Sequence, residues 1–114
     1  MSVHFQRHEF ACPHCGVALV RPALERSLEE LRSRVGRPLP ILSGYRCPPH
    51  NADVGGAANS QHMYAAAADI PEGYCTLSQA RAAGFTGVGT HRGLPVHVDV
   101  RDGPYVTWTY PVGH

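Results

Sequence analysis

Asp69 closes a four-alanine run in Ser60-Gln61-His62-Met63-Tyr64-Ala65-Ala66-Ala67-Ala68-Asp69, and no other feature constrains the fold of this chain as strongly. A carboxylate among small apolar side chains is costly to bury unless a cation meets it. The later run Pro95-Val96-His97-Val98-Asp99-Val100-Arg101 carries a further imidazole and a second carboxylate in similarly apolar company. The fold therefore has to bring two distant segments together around one positive charge. A divalent metal held by His62, Asp69 and His97 meets that need with N, O and N donors. Three protein donors leave the fourth position of a tetrahedral Zn²⁺ open to water, as in hydrolytic sites and unlike closed structural ones.

The spacing is compatible with such a centre. Val96 to Val100 alternates with period two and reads as a strand, with His97 and Asp99 on one face and the valines on the other. The valine face is expected to be buried and the His/Asp face to open onto a cleft. The second half of the Ala65 to Ile70 run is expected to be a strand, because Asp69-Ile70-Pro71 ends it abruptly and Asp69 must lie beside His97.

Around these segments the chain reads as α+β. Pro22 opens a helix whose Leu24, Leu28, Leu31 and Val35 share one face and which Gly36 ends. Pro38 to Gly44 reads as a short strand leading into Tyr45 and Arg46, and Asn51 to Asn59 as a loop with room for a helical turn. Thr76 is positioned to cap a second helix that Gly84 closes. Asp102-Gly103 signals a hairpin from the Val96–Arg101 strand into Tyr105–Tyr110. The expected architecture is a small antiparallel sheet of three or four strands with helices on one side and the metal on the open face.

Four cysteines pose a separate question. Cys12-Pro13-His14-Cys15 has Cys-x-x-Cys spacing and Cys47-Pro48-Pro49-His50 has Cys-x-x-His spacing. Cys12, Cys15, Cys47 and His50 together suit a closed structural Zn²⁺ site. A disulfide from Cys47 to Cys12 or Cys15, or free thiols, are the alternatives, and Cys75 has no partner in this scheme.

A length of 114 residues with 43% hydrophobic content fits a single domain spanning residues 1–114. A net charge of +1 with no basic run argues against a nucleic-acid partner. All ten basic residues are arginine, which reads as genomic base composition rather than function. No apolar stretch approaches the roughly 18 residues of a membrane span, and Met1-Ser2-Val3-His4-Phe5-Gln6-Arg7 lacks a signal-peptide core. Synthesis in the cytoplasm is therefore expected, as a monomer.

The segment Ser43 to Ile70, then Gly87-Val88-Gly89 and Val96 to Arg101, resembles the M15 family of zinc D-Ala-D-Ala peptidases, closest to its small branch of murein endopeptidases and phage-type lysins. The family pattern Ser-x-His-x-x-Gly-x-Ala-x-Asp is matched by Ser60, His62, Ala67 and Asp69, with Ala65 at the glycine position. The likeness runs from the His4-Phe5 start to Trp108. It implies a Hedgehog/DD-peptidase-like fold, one catalytic Zn²⁺ on His62, Asp69 and His97, and peptidoglycan stem peptides as substrate. The resemblance further implies that Arg46 binds the substrate carboxylate and that Ser60 orients a ligand or a substrate carbonyl. Tyr45 and Tyr64 are expected to line the cleft, with Gly55, Gly56, Gly87 and Gly89 forming an open rim.

The general base is where the chain departs from the family. Many members carry an acid three residues before the last zinc histidine, and related enzymes a histidine two before it; here those positions are Leu94 and Pro95. Asp99 and His91 are the candidates, Asp99 either as the base or as a partner holding His97, and His91 from a glycine-rich loop, Gly87 to Gly93, before the strand. The reaction implied is hydrolysis of an amide bond, as a D,D-carboxypeptidase, a murein endopeptidase or an L-Ala-D-Glu lysin. Such an enzyme would reach the cell wall after release, for which phage or prophage lysis is one route. A non-catalytic, zinc-stabilised binding module of the same fold is the competing class.

Overall fold

A computed structural model describes residues 4–57 and 60–110. The first three residues of the N-terminal stretch and residues 58–59 of the expected loop lie outside them. Pro22 takes the first position of helix α1 (Pro22–Val35), where its missing N–H leaves no bond unmade, and Gly36 ends the helix at φ 76°. Leu24, Leu28 and Leu31 are the buried face of α1. Helix α2 (Pro48–Asp53) begins earlier than the helical turn expected of the Asn51–Asn59 loop, again with proline in its first turn. Helix α3 (Leu77–Ala82) starts on a reciprocal cap: Thr76 Oγ1 accepts the Gln79 N–H, and Gln79 Oε1 accepts the Thr76 N–H.

Strands β1 (Ala67–Asp69), β2 (Gly87–His91), β3 (Leu94–Asp99) and β4 (Val106–Thr109) form a four-stranded sheet in the order β1-β3-β2-β4. The sheet is mixed, not antiparallel as expected: β1 and β2 pair antiparallel with β3, but β4 runs parallel to β2. The Asp102-Gly103 turn therefore makes no hairpin. Both edges of β3 are already taken by β1 and β2, so the chain crosses to the open edge of β2.

Two further expectations are corrected. Pro38 to Gly44 forms no strand; Ser43 makes only an isolated bridge to Asp69, as two prolines deprive the segment of ladder donors. Gly87 to Gly93, read as a glycine-rich loop, is β2 followed by a two-residue turn. Arg92 and Gly93 both have positive φ, 55° and 79°, the signature of a type I′ hairpin turn into β3.

The two faces of the sheet have different duties. Ala68, Val88 and Val98 are paired in register and join Leu24, Leu28, Leu31, Ala80, Phe85 and Phe10 in the core under α1 and α3. The alternate row, Asp69–His97–Gly89–Trp108, runs across all four strands on the opposite face. That row carries the site. No helix among the described residues is long and apolar enough to cross a membrane.

Candidate metal centre

His62 reaches the site from a 3-10 turn (Gln61–Tyr64) that Ser60 caps, its Oγ accepting the His62 N–H at 3.2 Å. The turn ends on Ala65 at φ 57°, ψ 29°. Glycine adopts this left-handed conformation without cost, whereas Ala65 carries the strain. From this turn the chain enters β1, whose Asp69 pairs in register with His97 of β3.

His62 Nε2 and His97 Nδ1 each lie 3.1 Å from Asp69 Oδ1. The three ligand atoms fall within 4.8 Å of one another. The other side of each group is occupied. His62 Nδ1 is 2.7 Å from the Gly44 carbonyl oxygen, which can only accept. His97 Nε2 lies 2.8 Å from Asp99 Oδ2, and Asp69 Oδ2 accepts from Arg46 Nη2 at 2.9 Å. With Nδ1–H of His62 and Nε2–H of His97 donated outward, each neutral ring turns a lone pair toward Asp69. Two imidazole lone pairs and a carboxylate oxygen converging on one point require a cation, and the N, O, N set with outer partners on every donor fits a divalent metal such as Zn²⁺.

The same contacts also shift the charge balance of the carboxylate and the ring. Burial pushes the Asp69 carboxyl up, but hydrogen bonds and charge from His62 and His97 outweigh it and hold it below the usual carboxylate range. Burial lowers His97, and its bonds to Asp69 and Asp99 more than reverse this, leaving it raised.

The centre lies in a cleft of about 740 Å³ lined by Arg46, Ser60, His62, Asp69, His91, His97, Trp108 and Tyr110, with Gly55 and Gly56 on its rim. Several expected residues are elsewhere. Asp99 does not face the cleft: it is 0% exposed, so of the His/Asp face of β3 only His97 meets the cleft. Its Oδ1 accepts the Arg101 backbone N–H at 3.2 Å and Nε at 2.9 Å, while Oδ2 accepts Arg101 Nη2 at 2.6 Å and the His97 ring. Gly87 and Gly89 are not rim residues. A Cβ on Gly87 would collide with Asp99 and Arg101, and one on Gly89 would come within 2.7 Å of the Trp108 and Tyr110 rings. Tyr45 and Tyr64 are absent from the cleft wall, and Tyr45 lies within electrostatic reach of the thiols of Cys15, Cys47 and Cys12.

His91 does line the cleft, from the end of β2 rather than from a loop. Its Nδ1 pairs with Glu72 Oε1, and its buried Nε2 has no hydrogen-bond partner among the described residues. Glu72, also in the cleft wall, carried no signal in the sequence beyond following Pro71. Trp108 was likewise missed as a site residue. Its ring packs 5.2 Å from that of His97, and the Arg101 guanidinium covers it at 4.9 Å. Its alternation with β4 neighbours was legible, but not the strand it would pair with.

The sulfurs of Cys12, Cys15 and Cys47 form a second group, also within 4.8 Å of one another. Neither His50, expected as their fourth partner, nor His14 belongs to that group; the two rings stack on each other with centroids 6.3 Å apart. Burial raises the Cys12 thiol, but backbone N–H groups of Cys47, Cys15 and His14 bring it down to about 6.

Two comparisons bear on this arrangement. The family described as peptidase M15 matches residues 3–99, a span that includes the donor set and stops short of Trp108. The zinc D-Ala-D-Ala carboxypeptidase of Streptomyces albus G is 39% identical over 92 residues, covering 74% of this chain. The chain spans only 36% of the length of that relative. With the matched span covering most of the chain, and with it the converging His62, Asp69 and His97, the chain belongs to the peptidase M15 family.

Proposed function

We propose that this chain is a zinc peptidase that hydrolyses an amide bond in bacterial cell-wall peptides, near a terminal D-alanine. The observation that carries the reading is the convergence of His62 Nε2, Asp69 Oδ1 and His97 Nδ1, each fixed from behind by an acceptor or a cation. Zn²⁺ bound there supplies Lewis-acid polarisation of the scissile carbonyl and acidifies water to a pKa of about 7. The name of the Streptomyces relative supports the D-Ala-D-Ala substrate class and a carboxypeptidase cut, with an endopeptidase cut at the same linkage as the variant of that chemistry.

The side chains divide the remaining work. Arg46 lines the cleft with Nη2 on Asp69 and Nη1 only 3.5 Å from Asn51 Oδ1, a contact too long to occupy its N–H groups. The Nη1 edge is therefore the group that receives a substrate carboxylate. His91 takes the proton from the attacking water and returns it to the leaving amine once its ring swings into the cleft it lines. Its Nε2 is buried and without a hydrogen-bond partner among the described residues, while Glu72 holds Nδ1. Asp99, enclosed by Arg101 and His97, serves as the partner that holds His97 rather than as the base. Ser60 acts through the turn that presents His62.

The test is zinc content per chain together with digestion of defined muropeptides by wild type, His97→Ala and His91→Ala. Wild type should bind zinc and cleave, and His97→Ala should lose both. His91→Ala should keep its zinc and lose about 10²–10⁴-fold in rate. Zinc bound at the centre without cleavage of any wall fragment would replace the enzyme with a binding module.

A further inference from the structure

The three-cysteine group lies outside the cleft and takes no part in the reaction above, yet it is built with more care than free thiols need. Cys12-Pro13-His14-Cys15-Gly16 forms a closed knuckle: Gly16, at φ +75°, returns its N–H to the Cys12 carbonyl at 2.7 Å, and the Cys12 N–H reaches the Val17 carbonyl at 2.8 Å. An antiparallel bridge between Ala11 and Ala18 holds the two ends together. From the other side, Cys47 takes the N-cap position of α2 and donates its backbone N–H to Cys12 Sγ at 3.5 Å. Two segments of chain thus present three sulfurs to one point.

The spacing distinguishes between partners. A tetrahedral Zn²⁺ with Zn–S of about 2.3 Å sets its sulfurs roughly 3.8 Å apart. A disulfide needs about 2.05 Å. Cys12 Sγ and Cys47 Sγ are 3.6 Å apart, close to the edge of a metal tetrahedron. His14 brings its Nδ1 to 3.4 Å from Cys47 Sγ.

We propose that Cys12, Cys15 and Cys47, with His14 in the fourth position, hold a structural Zn²⁺ separate from the one in the cleft. Four protein donors close the coordination sphere, so this ion stabilises and does not catalyse. Its effect on the cleft is positional. Cys47 directly follows Arg46, whose N–H bonds the His62 carbonyl at 3.1 Å; the Tyr45 N–H bonds the Phe10 carbonyl at 3.0 Å; and the Gly44 carbonyl holds the His62 ring. Clamping Cys47 to the 12–15 knuckle therefore fixes the strip of backbone that supports both Arg46 and His62. In a domain of this size such a staple contributes substantially to folding.

Metal analysis and cobalt substitution on the full chain test this. Wild type purified in the presence of zinc should carry two ions per chain, and His97→Ala one. Replacement by Co²⁺ should produce thiolate-to-cobalt charge-transfer absorption in the near ultraviolet, retained in His97→Ala and Cys75→Ser and lost in Cys47→Ser. Should Cys47→Ser fail to fold, thiol titration of wild type decides: zinc should shield three thiols, and a chelator should release them. A folded, cobalt-loaded wild type without the charge-transfer band, or an intact mass lighter by two hydrogens from a disulfide among these cysteines, would overturn the site. Unchanged cobalt retention in His14→Ala would overturn the fourth ligand. Loss of cleavage with the band intact would strike only at the peptidase reading, and loss of the band with cleavage intact only at this one.

Discussion

Replacing Asp99 with asparagine tests whether a residue that never meets the cleft nevertheless governs it. The amide keeps the shape of the carboxyl but exchanges one oxygen for an NH₂ group. Each carboxylate oxygen accepts two donors: Oδ1 the backbone N–H and Nε of Arg101, Oδ2 the Arg101 Nη2 and the His97 ring. Whichever way the amide is turned, its NH₂ faces two donors in a position that is 0% exposed. Hydrogen bonds to charged groups contribute about 1.5–3 kcal/mol each. The Arg101 side chain is 30% exposed and can redirect part of its fork to water, which reduces the loss. The expected cost is about 2–4 kcal/mol, or roughly 10 °C in Tm for a chain of this length. Because the His97 tautomer loses its acceptor, zinc affinity at the cleft should fall about 10–100-fold as well.

Urea unfolding of the chelated proteins, with zinc affinity from chelator competition, reads both effects. Acid supplies a further control. Burial raises the Asp99 carboxyl, but Arg101 first and His97 next hold it below the ordinary carboxylate range. A depressed native pKa means that the unfolded chain binds the proton first. The stability Asp99 contributes is therefore complete above about pH 4 and is lost as pH falls toward the native value. The gap between wild type and Asp99→Asn should accordingly narrow below that pH. A variant within about 0.5 kcal/mol of wild type at neutral pH, or a gap indifferent to acid, would refute the account of Asp99 as a buried, ionised partner of His97 and Arg101.

Two other substitutions probe the sheet. Arg92→Asn should stabilise the protein by about 0.5–1 kcal/mol in thermal unfolding without changing cleavage, since Arg92 is exposed and sits at φ 55° in the β2–β3 turn, where asparagine followed by glycine is favoured. Gly87→Ala should destabilise by about 1–3 kcal/mol and weaken zinc binding, because the added methyl overlaps Asp99 and comes within 2.6 Å of Arg101 Nε.

Much of the frame was legible because local rules decided it. Pro22 and Gly36 bracket α1, the Thr76/Gln79 pair opens α3, and the alternation around His97 marks β3. Strand β2 was hidden because Gly87 and Gly89 have no side chains to alternate; their absence makes room for Asp99 and for Trp108, a relation between strands that no local pattern carries. The partner of β4 was decided by which edge remained open after β1 and β2 had paired with β3. His50 has the better spacing for the cysteine group, yet the contact with Cys47 Sγ is made by His14 Nδ1, since the knuckle and the start of α2 set where each ring can point.

The sequence by itself determined the donor types and their company. His62, Asp69 and His97 in apolar surroundings demand a cation, and three cysteines in two close-set motifs suggest a second. Only the tertiary structure decided which atoms meet. Gly44, Arg46 and Asp99 lie behind the donors from three different parts of the chain, and they turn the lone pairs inward. The physical reason is that hydrogen-bond direction and burial depend on neighbours brought close by folding, whereas charge and polarity belong to the residues themselves.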